Sequence, residues 1–260
     1  MKNLLLMCVL FLCTFGVFAE SNIENNNVGF KIYDAIPYGK PFGVKPGILY
    51  ESIFYSHSEF DIPQIQYDKI NSVVSNDSIW ILDNEFGNRF DPSTVLPDTI
   101  TIMGYLKNTL RIKELGMYAV FPQNIYGWKY AQLFGLNNYK KLNDKYVRCL
   151  NYITNMHPVM YNYGDDVLFE TWKKSARWLI DESNRLSKGT KKIIPFISTD
   201  ICVDKSCNII KQLDPIELRK RINYLRQFKN RNVAGVVIWA KSGALLENNN
   251  RPTIEQYGLK

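Results

Sequence analysis

Short hydrophobic runs recur along the chain, most of them separated by longer segments whose apolar positions repeat every three or four residues. The runs at 29–36, 47–54, 78–85, 117–122, 157–163, 192–198 and 234–240 have strand length. Several are continuous rather than alternating, the pattern of strands covered on both faces in a parallel sheet. The intervening helices carry start and stop signals. Asp214-Pro215-Ile216-Glu217 combines a capping aspartate, a proline at the first helical position and an acid in the first turn. Leu218, Ile222 and Leu225 then form an inward stripe. Leu168, Trp172, Ala176 and Leu179 do the same for a helix near 166–187. Met103, Leu106 and Leu110 mark a third helix with Gly116 as its stop. Val147, Leu150 and Thr154 mark a fourth, which ends before His157-Pro158.

Strands alternating with helices imply parallel strand–helix–strand units and an α/β fold. A doubly wound sheet satisfies that pattern. The regular spacing, with polar or aromatic residues just past several strand ends, favours a TIM-type (β/α) barrel of seven or eight strands. No repeat or long linker divides the chain, so residues 20–260 are expected to form a single domain.

The first residues change the picture of where the protein works. Lys2 supplies a short positive region, 4–18 is an unbroken apolar run, and Val17-Phe18-Ala19 suits a cleavage site before Glu20. This reads as a signal peptide over 1–19 and predicts a secreted protein. The run is too short for a membrane span of about 20 residues, so no stable membrane anchor is expected. Of the five cysteines, Cys8 and Cys13 leave with the signal. Cys202 and Cys207 are spaced to close a small loop in an oxidising compartment, and Cys149 falls on a helix as a buried thiol. Asn76-Asp77-Ser78 is a glycosylation acceptor.

The formal charge of +7 is compatible with a polyanionic partner but names none. The basic runs at 188–192 and 219–221 read as solvated faces, and no nucleic-acid-binding signature accompanies them.

In a barrel, chemistry gathers at the carboxyl ends of the strands. The most informative end is WILDNEFG, 80–87. Asp83 and Glu85 stand two apart, so in a strand both carboxyls face one space. Such a pair can divide acid and base labour, because each raises the other's proton affinity. The plainer reading is an acidic turn, with Asn84 and Gly87 supplying the turn chemistry. Aromatics stand at other strand ends: Tyr126 and Trp128, Tyr161 and Tyr163, and Trp239. Sugar rings present C–H faces that stack on such side chains. Other chemistries lack their parts. With two histidines and no zinc spacing, no nucleophile elbow, no P-loop and no dinucleotide fingerprint, nothing calls for a metal or cofactor. Asp165 and Asp166 read as helix N-terminal acids rather than cation ligands.

The order of these motifs resembles the hyaluronidases, glycoside hydrolase family 56. FKIYDAIPY (30–38) is similar to that family's opening strand, WILDNEFG to its catalytic strand, and FPQNIYG (121–127) to its next strand end. HPVMY (157–161), KKIIPF (191–196) and VAGVVIWAKS (233–242) are similar to later strands, the last ending in tryptophan. The resemblance covers about 29–245. It implies a hydrolase in which the substrate's own N-acetyl oxygen attacks the anomeric carbon, an exception to the two-carboxylate scheme. Glu85 would protonate the leaving oxygen and Asp83 would orient the acetamido group. Tyr161, Tyr126, Tyr163 and Trp239 would contact the sugar. A polysaccharide of N-acetylhexosamine is the implied partner, with hyaluronan, chondroitin and chitin-like polymers all open. A chitinase motif is disfavoured, since Ser78 and Ile81 stand where it has aspartates. A carbohydrate-binding barrel without turnover and a lysozyme-like muramidase are the alternatives.

Overall fold

A computed structural model of the chain describes residues 29–37, 43–56, 64–75, 78–202 and 210–240. The expected signal segment, the acceptor Asn76 and Cys207 lie outside the described residues. Among those residues no helix is long and apolar enough to cross a membrane.

Strands and helices alternate. The principal strands are β1 Lys31–Asp34, β2 Gly47–Tyr50, β3 Trp80–Asp83, β4 Leu115–Met117, β5 Asn155–Met156, β6 Lys192–Ile193, β7 Phe196–Ser198 and β8 Gly235–Trp239. All pair in parallel. β3 lies between β2 and β4, β8 lies between β1 and β7, and β5 pairs with β6. Single bridges link these sheets: Tyr118 to His157, Val159 to Phe196, and Tyr33 to Val44. The connections follow a ring, yet each is one residue wide. The described strands therefore fall into several small sheets rather than the continuous closed barrel expected. Two antiparallel pairs add to them, Tyr55–Ser56 with Gln64–Ile65 and Asp200–Cys202 with Ile210–Gln212.

Around the strands stand α1 Tyr67–Val73, α2 Leu96–Gly104, α3 Trp128–Phe134, α4 Leu136–Lys145, α5 Phe169–Ser187 and α6 Pro215–Arg226. α6 begins as the sequence predicts, with the Asp214 carboxylate accepting from the Ile216 N–H at 2.7 Å. Leu218, Ile222 and Leu225 are fully buried. On α5 the inward stripe is Trp172, Ala176 and Leu179, whereas Leu168 lies outside the helix and is exposed. The Trp172 indole N–H donates to the Met160 carbonyl at 2.8 Å, tying α5 to the strand layer. The expected fourth helix lies earlier, as α4, followed by a 3₁₀ turn over Val147–Asn151.

Strand periodicity divides the core in two. Trp80 and Leu82 face outward into the layer between strands and helices. Ile79 and Ile81 face inward, against Tyr33, Ala119, Val159, Ile194, Phe196 and Val237. Gly116, read above as a helix stop, sits within β4 instead. A methyl group there would collide with the ring of His157. His157 is fully buried, and its Nδ1–H donates to the Ile194 carbonyl at 2.8 Å. Burial lowers its pKa to about 4, so the ring is neutral at pH 7. Cys149 is a buried free thiol, pushed up to about 12 by burial and thus far from a reactive thiolate.

Candidate active site

Parallel strands bring their carboxyl ends together, so residues on the inward face at those ends share one space. Asp83, last residue of β3, keeps the inward parity of Ile79 and Ile81. Its Oδ1 is buried without a hydrogen-bond partner. Burial first, then the negative charges of Glu85 and Glu51, raise its pKa to about 7. Glu85, two residues on, is exposed.

The turn after β3 is built by the residue between them. Asn84 is buried; its Oδ1 accepts from the Phe86 N–H at 3.1 Å and its Nδ2 donates to Thr99 Oγ1 at 2.9 Å. Gly87 takes a positive φ of 81° and passes close to the Thr94 carbonyl. Asn84 and Gly87 thus build the turn of the plainer reading, and Glu85 stands on that turn, past the end of β3, rather than in the strand that was expected to carry both carboxyls.

The Asp83 charge acts on Tyr50, Tyr118 and Tyr161, and the Glu85 charge on Tyr118 and Tyr163. Tyr161 and Trp239 stack with ring centroids 5.1 Å apart and planes 12° from parallel. Tyr161 also lies 5.9 Å from Tyr163, which makes an edge contact with Tyr126 at 5.4 Å. The structure thus brings four of the five sequence-identified aromatics into one connected group. Trp128 is apart from it: its backbone N–H donates to Asp166 Oδ1 at 3.1 Å, and Asp166 Oδ2 accepts from Ser175 at 2.6 Å. Asp166 therefore fastens the start of α3 to α5.

Residues not singled out in the sequence complete the site. The Tyr118 hydroxyl donates to the Tyr161 hydroxyl at 3.1 Å. Burial holds both phenols well above the usual range, so both stay protonated. Tyr50, at the end of β2, is raised by burial and by the Asp83 charge. Arg89 places its guanidinium 4.5 Å from the Tyr126 ring centroid, and Asn124 Nδ2 donates to the Tyr163 hydroxyl at 3.1 Å. Strand-end position alone marks Tyr50 and Tyr118, had β2 and β4 been ended correctly.

No protein-family model matches the chain, and no curated protein does. Among solved structures it is similar to bee venom hyaluronidase in complex with a hyaluronic acid tetramer. The two share 13% sequence identity and a TM-score of 0.52, over 82% of this chain and 90% of that chain. At that identity the likeness concerns the fold alone.

Proposed function

We propose that the protein is a secreted glycoside hydrolase that cleaves an N-acetylhexosamine polysaccharide with retention of configuration. The observation that carries this reading is the pair of carboxyls at and just past the end of β3, Asp83 and Glu85, with the Asp83 charge acting on Tyr161, which stacks on Trp239. The fold shared with a hyaluronidase supports the reaction class. Residues 1–19 act in this reading as a cleaved export signal.

The chemistry follows from the protonation pattern. The free pair holds a proton on Asp83 near neutral pH. A substrate acetamide N–H donating to Asp83 favours its ionised form and leaves the proton for Glu85. The acetamide oxygen then attacks the anomeric carbon as the bond to the leaving oxygen breaks, and Glu85 gives that oxygen its proton. Water opens the cyclic intermediate while Glu85 takes a proton back. The Tyr161 hydroxyl hydrogen-bonds the acetamide, and Trp239 packs on its apolar face.

The test is release of reducing ends from hyaluronan, chondroitin, chitin oligomers, peptidoglycan and N-deacetylated chitin. Cleavage of at least one N-acetylated polymer, with none of the deacetylated one, is the expected result. Binding without release from any polymer would replace this reading with that of a sugar-binding barrel.

A further inference from the structure

Parallel strands start at one end as they finish at the other, so the turns that lead into them share a face opposite Asp83. That face is basic. Lys31 opens β1 and pairs with Gly235 of β8. Arg111 and Lys113 lead into β4, and Lys188 and Lys191 into β6. Contacts show that the turns adjoin. Lys192 Nζ lies 3.1 Å from the Glu114 carboxylate, and the Asn232 amide before β8 donates to the Gly189 carbonyl at 2.6 Å. The Arg226 guanidinium stands 5.4 Å from the ring centroid of Phe30, next to Lys31.

The carboxylates at this end are already engaged, Glu114 with Lys192 and Asp181 with Arg231. Lys31, Arg111, Lys113, Lys188 and Lys191 have no carboxylate partner among the described residues. Lys107 joins them, its Nζ donating to the Asn151 carbonyl at 2.5 Å. Burial, and then the Lys107 charge, lower the Lys191 pKa, so two ammonium groups are close with no anion between them. Such crowding costs stability until a counter-ion arrives. Arg111 and Lys188 take φ of +56° and +51°, where glycine is the ordinary residue, and each keeps a charge at its turn.

We propose that this face, at the amino ends of the strands, binds a flexible acidic polysaccharide as a tether remote from the carboxylate pair. The inference stands whether or not the carboxyls turn over a sugar. From the Arg111 turn past β5, β6 and β8 to Lys31, the cations follow an arc of roughly 20 Å at about 4.8 Å per strand. A flexible polyanion can follow that curve, whereas duplex DNA is stiff over such a length. Among the described residues, the exposed large apolar side chains all lie off the turns that carry these cations. The face therefore offers no wedge for a bilayer and no platform for unstacked bases. What it offers is charge, suited to a hydrated chain of sulfates or carboxylates.

The experiment is calorimetric titration of the full chain with heparin, with phosphatidylglycerol vesicles and with duplex DNA, at low and at physiological salt. The test variant combines Lys31→Ala, Lys113→Ala and Lys188→Gly. All three side chains are exposed, and glycine keeps the left-handed turn, so the fold should persist. The control removes the same charge elsewhere, by Lys141→Ala, Lys174→Ala and Lys211→Ala. The expected result is that heparin binds wild type and control alike, weakens with salt, and binds the test variant roughly tenfold more weakly or worse. Absence of heparin binding at low salt, or equal loss in both variants, overturns the face. Tighter binding of vesicles or DNA than of heparin overturns the polysaccharide as its partner. None of these outcomes bears on the carboxylate pair.

Discussion

Asp83→Asn is expected to make the protein more stable and nearly inactive at the same time. The folded carboxyl titrates near pH 7, against about 3.9 in an unfolded chain. Between these values the native state binds the extra proton, so the Asp83 contribution to stability falls as pH rises from about 4 to about 7. Above that window the fold bears the full penalty of a buried, charge-crowded carboxylate. Asparagine carries no charge to bury. At pH 8 the variant should gain about 2–4 kcal/mol, and at pH 4 it should match wild type. Turnover should drop by about 10²-fold or more, because the acetamide loses the anion that orients it. Thermal unfolding at the two pH values together with kcat checks both halves. Equal stability at pH 8 would remove the argument that Asp83 is strained for use.

Gly116→Ala is the second large effect, and it acts on the fold. The added methyl would meet Cδ2 and Nε2 of His157, a ring with 0% exposure that is fixed by its bond to Ile194. Neither the ring nor β4 has room to yield, so a loss of about 3 kcal/mol is expected, the upper end for overpacking. Chemical denaturation measures it. The cause is checked by a double-variant cycle: in a His157→Ala background the same methyl fills space, and its cost should largely vanish. An undiminished cost in that background would place the strain in the β4 backbone instead.

What could be read from the sequence, and what could not, divides by range. The period of two along 78–85 places Ile79, Ile81 and Asp83 on one face from local residues alone, and the inner core contains Ile79 and Ile81. The start of α6 is equally local, a cap two residues from its donor. Strand ends were harder. The run at 47–54 is apolar throughout, but the strand stops at Tyr50 and Glu51–Phe54 turns into a helical coil. Reading it as one strand buried Tyr50 and Glu51 in mid-strand and hid them from the site. Gly116 misled for a related reason. A glycine after an apolar helix stripe has the form of a stop, and its actual task is set by a ring 41 residues away. The hydrogen bond from Tyr118 to Tyr161 spans 43 residues. Arg89 reaches Tyr126 because the Asn84 turn folds the loop back. Such contacts depend on the assembled sheet order, which no local pattern records.

The central claim is that the strand-end carboxylate pair cleaves glycosidic bonds. Its most direct test is reducing-end release by wild type and by Glu85→Gln on the same N-acetylated polymer, with circular dichroism of both. Glu85 is exposed, so the substitution should leave the fold unchanged. The account predicts release by wild type and a loss of about 10³-fold in the variant, the share of a general acid. Equal release by the two proteins, with matching spectra, would contradict it.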